Sequence, residues 1–265
     1  MIYVYDGTFE GFLSAVFDAF SMKITPVNIV SSTSEFQLRL DVECYHVATS
    51  AEKADRVGAG MEKHGFFGQV ATAFLSWMPN REMVIYQYIV LGFKIKEDIF
   101  AKLHDDVVRK VNDMSSQTYG EKQKWKGFLR FSIMENNVHF AEMSPKNNVL
   151  SLIMPHFCRR FRTMPFVIHD ITYKQVGIFD TKEWHVLPFD GISVPRFHSD
   201  EEKYREAWKK FYDTTAVEGR LNLERRNKVI PKRYQKHMTE LQVWKSAADY
   251  DIMLLEGLPN DRTTT

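Results

Sequence analysis

The sequence predicts an α+β fold, in which a helical block follows an N-terminal strand–turn–helix and precedes a strand-rich half. Three observations lead to this prediction. A short apolar run opens the chain, its middle third is apolar at helical spacing, and short runs of β-branched and aromatic residues dominate after Gly127. In that second half the order of predicted elements is ββαβββ, which indicates an antiparallel sheet followed by C-terminal helices.

Ile2–Tyr5 is the first predicted strand, and an Asp-Gly turn follows it. Thr8 is the predicted N-cap of a helix that continues to about Phe20, because apolar residues recur there at spacings of three and four. Such a turn can hold an anion at the helix N-terminus. The carboxylates of Asp6 and Glu10 oppose that interpretation, so we favour a turn with a structural role.

In the middle third of the chain, the sequence pattern predicts one strand and four helices. The strand covers residues 36–48, and the helices cover residues 51–64, 66–77, 81–93 and 99–114. The polar residues 115–120 are the best candidate for a linker. We therefore expect domains at residues 1–120 and 121–256, or one integrated domain, and a loose tail at residues 257–265.

The second half accounts for the ββαβββ pattern. Strands are predicted over residues 128–134 and 138–143, a helix over 148–162, and strands over 166–170, 173–179 and 184–188. The turn Asn136-Asn137 joins the first two strands, since asparagine tolerates the positive φ of tight hairpins. Ser199 or Asp200 caps a final helical region, which extends to about residue 243 and is interrupted near Pro231.

Composition is that of an ordinary globular protein. The 265 residues are 44% hydrophobic and 26% charged, with a net charge of +1 and two cysteines. Two cysteines are too few for a disulfide framework or a four-cysteine zinc site. The N-terminus lacks the basic and apolar regions of a signal peptide, and no apolar run approaches the roughly 20 residues that span a bilayer. We therefore expect a cytoplasmic protein without a membrane partner.

The strong catalytic and cofactor signatures are missing from the sequence. It contains no phosphate-binding GxxxxGK[ST] or GxGxxG loop, no HExxH metal motif, no pair of CxxC motifs and no GxSxG elbow. On this basis we assign neither a cofactor nor a metal.

One weak catalytic pattern remains. Asp170 ends a predicted strand, and Asp180 and Lys182 follow the next one. In one class of nucleases two such carboxylates hold a divalent ion while the lysine polarises water or phosphate. The alternative is a hairpin whose turn happens to be charged.

Basic residues form three local clusters in this nearly neutral chain. The first lies at residues 122–130, the second at 159–162 and the third at 220–236. Arginine and lysine in such clusters bind phosphate groups. The residues expected to contact a nucleic acid are Arg130, Arg159, Arg160, Arg225, Arg226, Lys232 and Arg233, with Tyr234 stacking or packing beside them. The alternatives are solvated helix faces and, for the second cluster, cations that complement a helix dipole.

Five segments in order resemble a known family. They are residues 5–13 (YDGTFEGFL), 127–131 (GFLRF), Pro145 with 148–150 (NVL), His156-Phe157 with Arg160, and 231–234 (PKRY). Together they resemble uncharacterised bacterial proteins described as probable DNA metabolism proteins, built on a domain of unknown function. That family has a His-Arg pair before the glycine, where this chain has Trp125-Lys126. No role of that pair is therefore carried over.

The resemblance implies a DNA context. In that family the gene lies beside one for a radical-SAM protein linked to DNA repair or modification. Some members carry a uracil-DNA-glycosylase-like domain, which we do not expect in this sequence. The resemblance favours a DNA-binding accessory partner of the radical-SAM enzyme. The alternatives are a DNA-acting hydrolase, either a metal nuclease or a base-excision enzyme, and a protein–protein adapter without DNA affinity.

Overall fold

The computed structural model describes residues 1–33, 43–95, 99–189, 196–215 and 223–241. These residues form a mixed fold of helices and strands, which confirms the predicted α+β class. The chain divides into two compact units. The first unit contains Met1–Gln123 and Lys146–Val149, and the second contains Lys124–Pro145 and the described residues from Leu150 onward.

A three-stranded parallel sheet opens the first unit. Its strands are β1 (Ile2–Tyr5), β2 (Asn28–Ser31) and β3 (Cys44–His46), in the order β2-β1-β3. All four residues of the central strand β1 are buried, as expected of a parallel strand that is covered on both faces. Strand β3 lies within the strand predicted over 36–48, whereas residues 36–42 lie outside the described part of the chain.

The helices occur in the predicted order along the chain, and the first of them lies between β1 and β2. They are α1 (Phe9–Met22), α2 (Ala51–Lys63), α3 (Phe67–Phe74), α4 (Arg81–Ile95) and α5 (Asp106–Phe128), with a 3₁₀ turn at Ile99–Ala101. The prediction that Thr8 caps α1 is confirmed, because its hydroxyl oxygen accepts a hydrogen bond from the Gly11 backbone N–H at 2.9 Å. The last residues of α5, from Lys124 onward, belong to the second unit.

The linker predicted at residues 115–120 is wrong, because these residues lie inside the continuous helix α5. Thr118 is fully buried there, and its hydroxyl donates to the Met114 carbonyl at 2.9 Å. Polar residues of this kind satisfy their hydrogen bonds within the helix and so escape recognition as buried positions. The predicted domain ranges 1–120 and 121–256 stay a prediction, and the predicted tail at 257–265 lies outside the described residues.

A five-stranded sheet is the framework of the second unit. Its elements are β4 (Ser132–Ile133), β5 (His139–Met143), helix α6 (Leu150–Arg160), β6 (Phe166–Asp170), β7 (Gln175–Phe179) and β8 (Trp184–Pro188). The strands lie in sequence order, and the predicted ββαβββ pattern is confirmed. The prediction of a purely antiparallel sheet is wrong at one pair, since β5 and β6 are parallel. The α6 connection between them is the kind of crossover that parallel neighbours require.

The segment Gly127–Phe131 is not the first strand of this sheet. Helix α5 continues to Phe128, the Leu129 N–H donates to the Trp125 carbonyl at 3.0 Å, and β4 begins only at Ser132. Trp125 and Leu129 are both buried, at a spacing of four residues. That burial favours one more helical turn over the extended conformation that the apolar run predicts.

Short helices complete the second unit. They are α7 (Glu201–Thr215), α8 (Leu223–Val229) and α9 (Lys232–Gln235), with a 3₁₀ turn at Thr239–Leu241. Pro231 immediately precedes α9, where its fixed φ suits a helix start, so the predicted interruption is confirmed. Within the described ranges, no helix combines the length and apolar character needed to cross a membrane.

Candidate nucleic-acid interface

A cleft of about 530 Å³ opens on the second unit, within the range of small-ligand pockets. We call it the basic–aromatic cleft. Its walls combine cationic and aromatic side chains. They include Lys126, Arg130, Phe131, His139, Phe157, Arg160, Phe161, Tyr204, Arg205 and Trp208. The end of α5 and the loop after it, strand β5, and helices α6 and α7 therefore all contribute to one site.

Arg130 lies in this cleft but is held by a carboxylate. Its guanidinium contacts Glu240 at 2.6 Å (Nη2–Oε1) and 3.2 Å (Nε–Oε2), and the Glu240 side chain is only 2% exposed. The Trp208 indole N–H donates to the same carboxylate at 3.0 Å. Burial by itself would raise the pKa of Glu240, but the hydrogen bonds from Arg130 and Trp208 hold it below its usual value. Arg130 therefore has a structural ion-pair role, and its assignment to DNA phosphate stays a prediction.

A second ion pair positions helix α7. The Arg205 Nε donates to Glu201 Oε1 at 2.8 Å, and both side chains are buried. The other carboxylate oxygen of Glu201 accepts from the Ile133 backbone N–H at 2.8 Å, and Arg205 also donates to the Ser132 hydroxyl. The pair therefore connects α7 to the edge strand β4 by hydrogen bonds, and the two opposite charges of Glu201 and Arg205 neutralise each other.

The cations at the rim of the cleft are not neutralised in this way. Among the residues that the structure describes, Lys126, Arg159 and Arg160 form no ion pair, and both arginines are exposed. Burial lowers the pKa of His156, and the charges of Lys126 and the two arginines lower it further. Lys126 of the first basic cluster and Arg160 of the second both line the cleft, and Arg159 precedes Arg160 on α6. The two clusters therefore meet at this cleft.

The third cluster has a different setting. Tyr234 is fully buried, with its ring centroid 4.8 Å from that of Trp125 and 5.3 Å from that of Phe128. Arg233 lies over this ring at 4.8 Å and donates to its hydroxyl at 2.9 Å. Full burial leaves the Tyr234 ring without an exposed face for stacking on a ligand, and its contact with a nucleic acid stays a prediction. The cations Arg225, Arg226, Lys232 and Arg233 lie on α8 and α9 and do not line the cleft.

The predicted catalytic carboxylates lie at opposite ends of a hairpin. Asp170 pairs with Gln175 at one end of β6 and β7, whereas Asp180 follows Phe179, which pairs with Phe166 at the other end. The two ends are four residue steps apart along the strand, or about 13 Å. The two carboxylates therefore cannot hold one metal ion.

Each of these carboxylates instead organises a turn. Asp170 is fully buried and accepts hydrogen bonds from the backbone N–H groups of Thr172 and Tyr173, at 3.0 and 3.1 Å. Asp180 accepts in the same way from Lys182 and Glu183, both at 2.8 Å. The alternative of a charged hairpin turn is thus the better interpretation. Across the described residues there is no group of three or more His, Cys, Asp or Glu side chains placed to hold a metal.

The turn before α1 also has a structural role. The Asp6 carboxylate accepts from the Thr8 N–H at 2.9 Å and the Thr8 hydroxyl at 2.7 Å, and it accepts from the Thr49 hydroxyl at 2.8 Å. It therefore occupies the helix N-terminus that an anion would need.

The exposed aromatic residues of α7 are the main feature that the sequence reasoning missed. Tyr204, Trp208 and Phe211 are 62%, 41% and 56% exposed. Tyr204 and Trp208 line the cleft, and Phe211 stacks on Trp208 with ring centroids 5.7 Å apart and an interplanar angle of 29°. Their spacing of four and three residues indicates that they share one face of a helix, but it does not indicate that this face is exposed.

Comparisons with known proteins identify the family. No curated protein and no solved structure matches the chain. A family model described as a domain of unknown function, DUF4130, matches residues 79–240. That match covers more than half of the chain and includes every residue that lines the basic–aromatic cleft. The chain therefore belongs to the DUF4130 family.

Proposed function

We propose that this chain is a nucleic-acid-binding protein of DNA metabolism, and that the rim of the basic–aromatic cleft binds DNA phosphates. The observation that carries the proposal is that Lys126 and Arg160, from two separate basic clusters, both line an aromatic-walled cleft. Cations without a protein carboxylate partner are available to an external anion, and the arginine guanidinium matches the geometry of phosphate.

The contrast between two kinds of arginine supports this assignment. Arg130 and Arg205 are each held by a glutamate, which uses their charge inside the fold. Arg159 and Arg160 project from the end of α6 into solvent. DNA contact is thus assigned to the exposed cations, while the paired ones shape the cleft. Since Lys232 is exposed on α9, it extends the proposed contact beyond the cleft.

The partner of such a protein is an enzyme that acts on the bound DNA. The resemblance to the DNA metabolism family favours a radical-SAM repair or modification enzyme, with this chain as its accessory DNA-binding subunit. The separation of Asp170 from Asp180 gives no support to a metal nuclease within this chain.

A salt-titrated binding assay tests the proposal. The probe is a fluorescein-labelled DNA oligonucleotide, offered single-stranded and as a duplex, with anisotropy as the readout. We expect binding at low salt that weakens as salt rises, because phosphate-bound counterions are released. In the double variant Lys126→Gln/Arg160→Gln, the slope of log K against log salt should become shallower by about 1 to 2.

The matched control is Lys182→Gln, which removes an exposed lysine from the β7–β8 turn of the same unit. This variant should bind like the parent protein. The proposal is contradicted if neither form of DNA binds at low salt, with or without a radical-SAM partner. Partner binding without DNA affinity would instead identify an adapter.

A further inference from the structure

We infer that the DNA bound here is single-stranded, and that its unpaired bases stack along helix α7 while one base enters the basic–aromatic cleft. This inference rests on the proposed function and specifies its ligand. It follows from three features of the second unit: an exposed row of aromatic rings, the charge balance of the helix that carries them, and the walls of the cleft.

The row of rings, which we call the α7 ladder, consists of Tyr204, Trp208 and Phe211. These positions lie on one side of α7 at helical spacing, and they extend over about 10 Å of the helix axis. All three rings are more than one-third exposed, although they belong to the residue types that gain most from burial. A row of rings in contact with water suits a partner that supplies flat apolar surfaces.

The charge balance of α7 selects among such partners. Its polar positions carry four lysine or arginine residues and four aspartate or glutamate residues, so the helix has no net charge. An amphipathic helix that binds a membrane surface instead carries a polar face rich in lysine and arginine. Here the cations without an ion pair that line the cleft, Lys126 and Arg160, lie on other elements, α5 and α6. A ligand with apolar faces and a separate anionic backbone matches this arrangement, as a single strand of nucleic acid does.

The central ring of the α7 ladder is held in place. Trp208 donates its indole N–H to Glu240 at 3.0 Å, and the Arg130 guanidinium lies 5.8 Å from its ring centroid. Glu240 and Arg130 also form an ion pair with each other, so the two groups that contact the Trp208 ring hold each other in place. A stacking surface that is ordered before binding loses less conformational entropy on binding.

The cleft beside the ladder has room for one base. Its volume of about 530 Å³ is within the range of pockets that bind small ligands. Phe131, Phe157 and Phe161 give it apolar walls. The Nδ1 atom of His139, which lines the same cleft, has no hydrogen-bond partner among the described residues. This buried nitrogen is a polar atom behind the apolar walls.

Three DNA probes of equal length test the inference, namely a thymidine strand of about 16 nucleotides, the corresponding duplex, and a strand of abasic sites. The abasic strand keeps its phosphates and lacks the rings that stack. We expect the thymidine strand to bind at least about tenfold more tightly than the other two probes. Tyr204→Ala and Phe211→Ala should each weaken its binding by about tenfold and leave binding of the abasic strand unchanged.

Two controls accompany these variants. Trp184→Ala removes an exposed ring from β8, away from the cleft, and should change nothing. Tyr204→Phe keeps the ring and should keep the affinity. The inference is overturned if the duplex or the abasic strand binds as tightly as the thymidine strand, or if the ladder variants bind normally. Failure of all three probes to bind would instead contradict the proposed function itself.

Discussion

Arg130 and Glu240 form a two-point ion pair that joins the loop after α5 to the 3₁₀ turn at Thr239–Leu241, across 110 residues of sequence. The carboxylate is almost completely buried, whereas the arginine side chain is 24% exposed. Trp208 donates to the same carboxylate. The pair therefore links three separate parts of the second unit and supports one wall of the basic–aromatic cleft.

We predict that Arg130→Ala lowers the free energy of unfolding by about 3 kcal/mol, because it leaves the buried Glu240 carboxylate without its main partner. Urea denaturation of the parent and variant measures this change. The double variant Arg130→Met/Glu240→Leu should lose much less, since it removes both charges and keeps apolar volume. If the single and double variants are equally destabilised, the pair does not act through burial of charge.

The buried His237 should make the stability of the fold depend on pH. Burial, followed by the charge of Lys236, lowers its pKa from 6.5 to about 4, while Glu142 opposes the shift. Between these two values the unfolded chain binds a proton that the folded chain does not bind. Stability should therefore decrease as the pH falls from about 6.5 to about 4, by roughly 2 kcal/mol after allowance for partial exposure of the ring.

In the parent protein the Ser144 hydroxyl and His237 Nε2 form a hydrogen bond of 2.8 Å. The control for the pH dependence is His237→Asn, which removes the titrating group and keeps a polar side chain near that hydroxyl. Thermal or urea unfolding should be compared at pH values across that window. The quantity to compare is the difference in free energy of unfolding between parent and variant, since the remaining titratable groups contribute equally to both proteins. A difference that does not change with pH would contradict the assignment to His237.

Two glycines give opposite predictions for the same substitution. A Cβ atom on Gly11 would overlap the Asp6 carboxylate, whereas one on Gly120 would meet no atom within 4 Å. Gly11→Ala should therefore displace Asp6 from the N-terminus of α1 and cost about 1 to 3 kcal/mol. Gly120→Ala, inside α5, should stabilise the protein by up to about 1 kcal/mol through helix propensity. Equal effects on the melting temperature would contradict this interpretation of the Asp6 turn.

The strands of the second unit were predictable because their sequence pattern is local. In β6 the residues Phe166, Ile168 and Asp170 are buried, and the residues between them are partly exposed. Residues 127–131 were not predictable in the same way. There the helical conformation is stabilised by packing of Trp125 and Phe128 on Tyr234, more than 100 residues later in the chain. A pattern of neighbouring residues contains no information about such a contact.

The candidate site also has features that the sequence predicts and features that it does not. The basic clusters were evident in the sequence, because charge is a property of each residue. That Arg130 is neutralised was not evident, since its partner Glu240 lies 110 residues later in the chain. The exposed face of α7 was equally hidden. Its aromatic spacing is the same as that of a helix with a buried apolar face, and only the fold shows which face contacts water.

The last prediction concerns the two aspartates at the ends of the β6–β7 hairpin. Asp170 is buried, which raises its pKa, and it accepts from two backbone N–H groups and from the Gln175 amide at 3.1 Å. Asp170→Ala should therefore cost about 2 to 3 kcal/mol, because it leaves buried donors without an acceptor. Asp180 is exposed, so water can hydrate the backbone N–H groups that lose its carboxylate, and Asp180→Ala should cost much less than Asp170→Ala. Chemical denaturation ranks the two variants. Equal destabilisation, or loss of a metal-dependent DNA cleavage in both, would show that the carboxylates act together despite their separation.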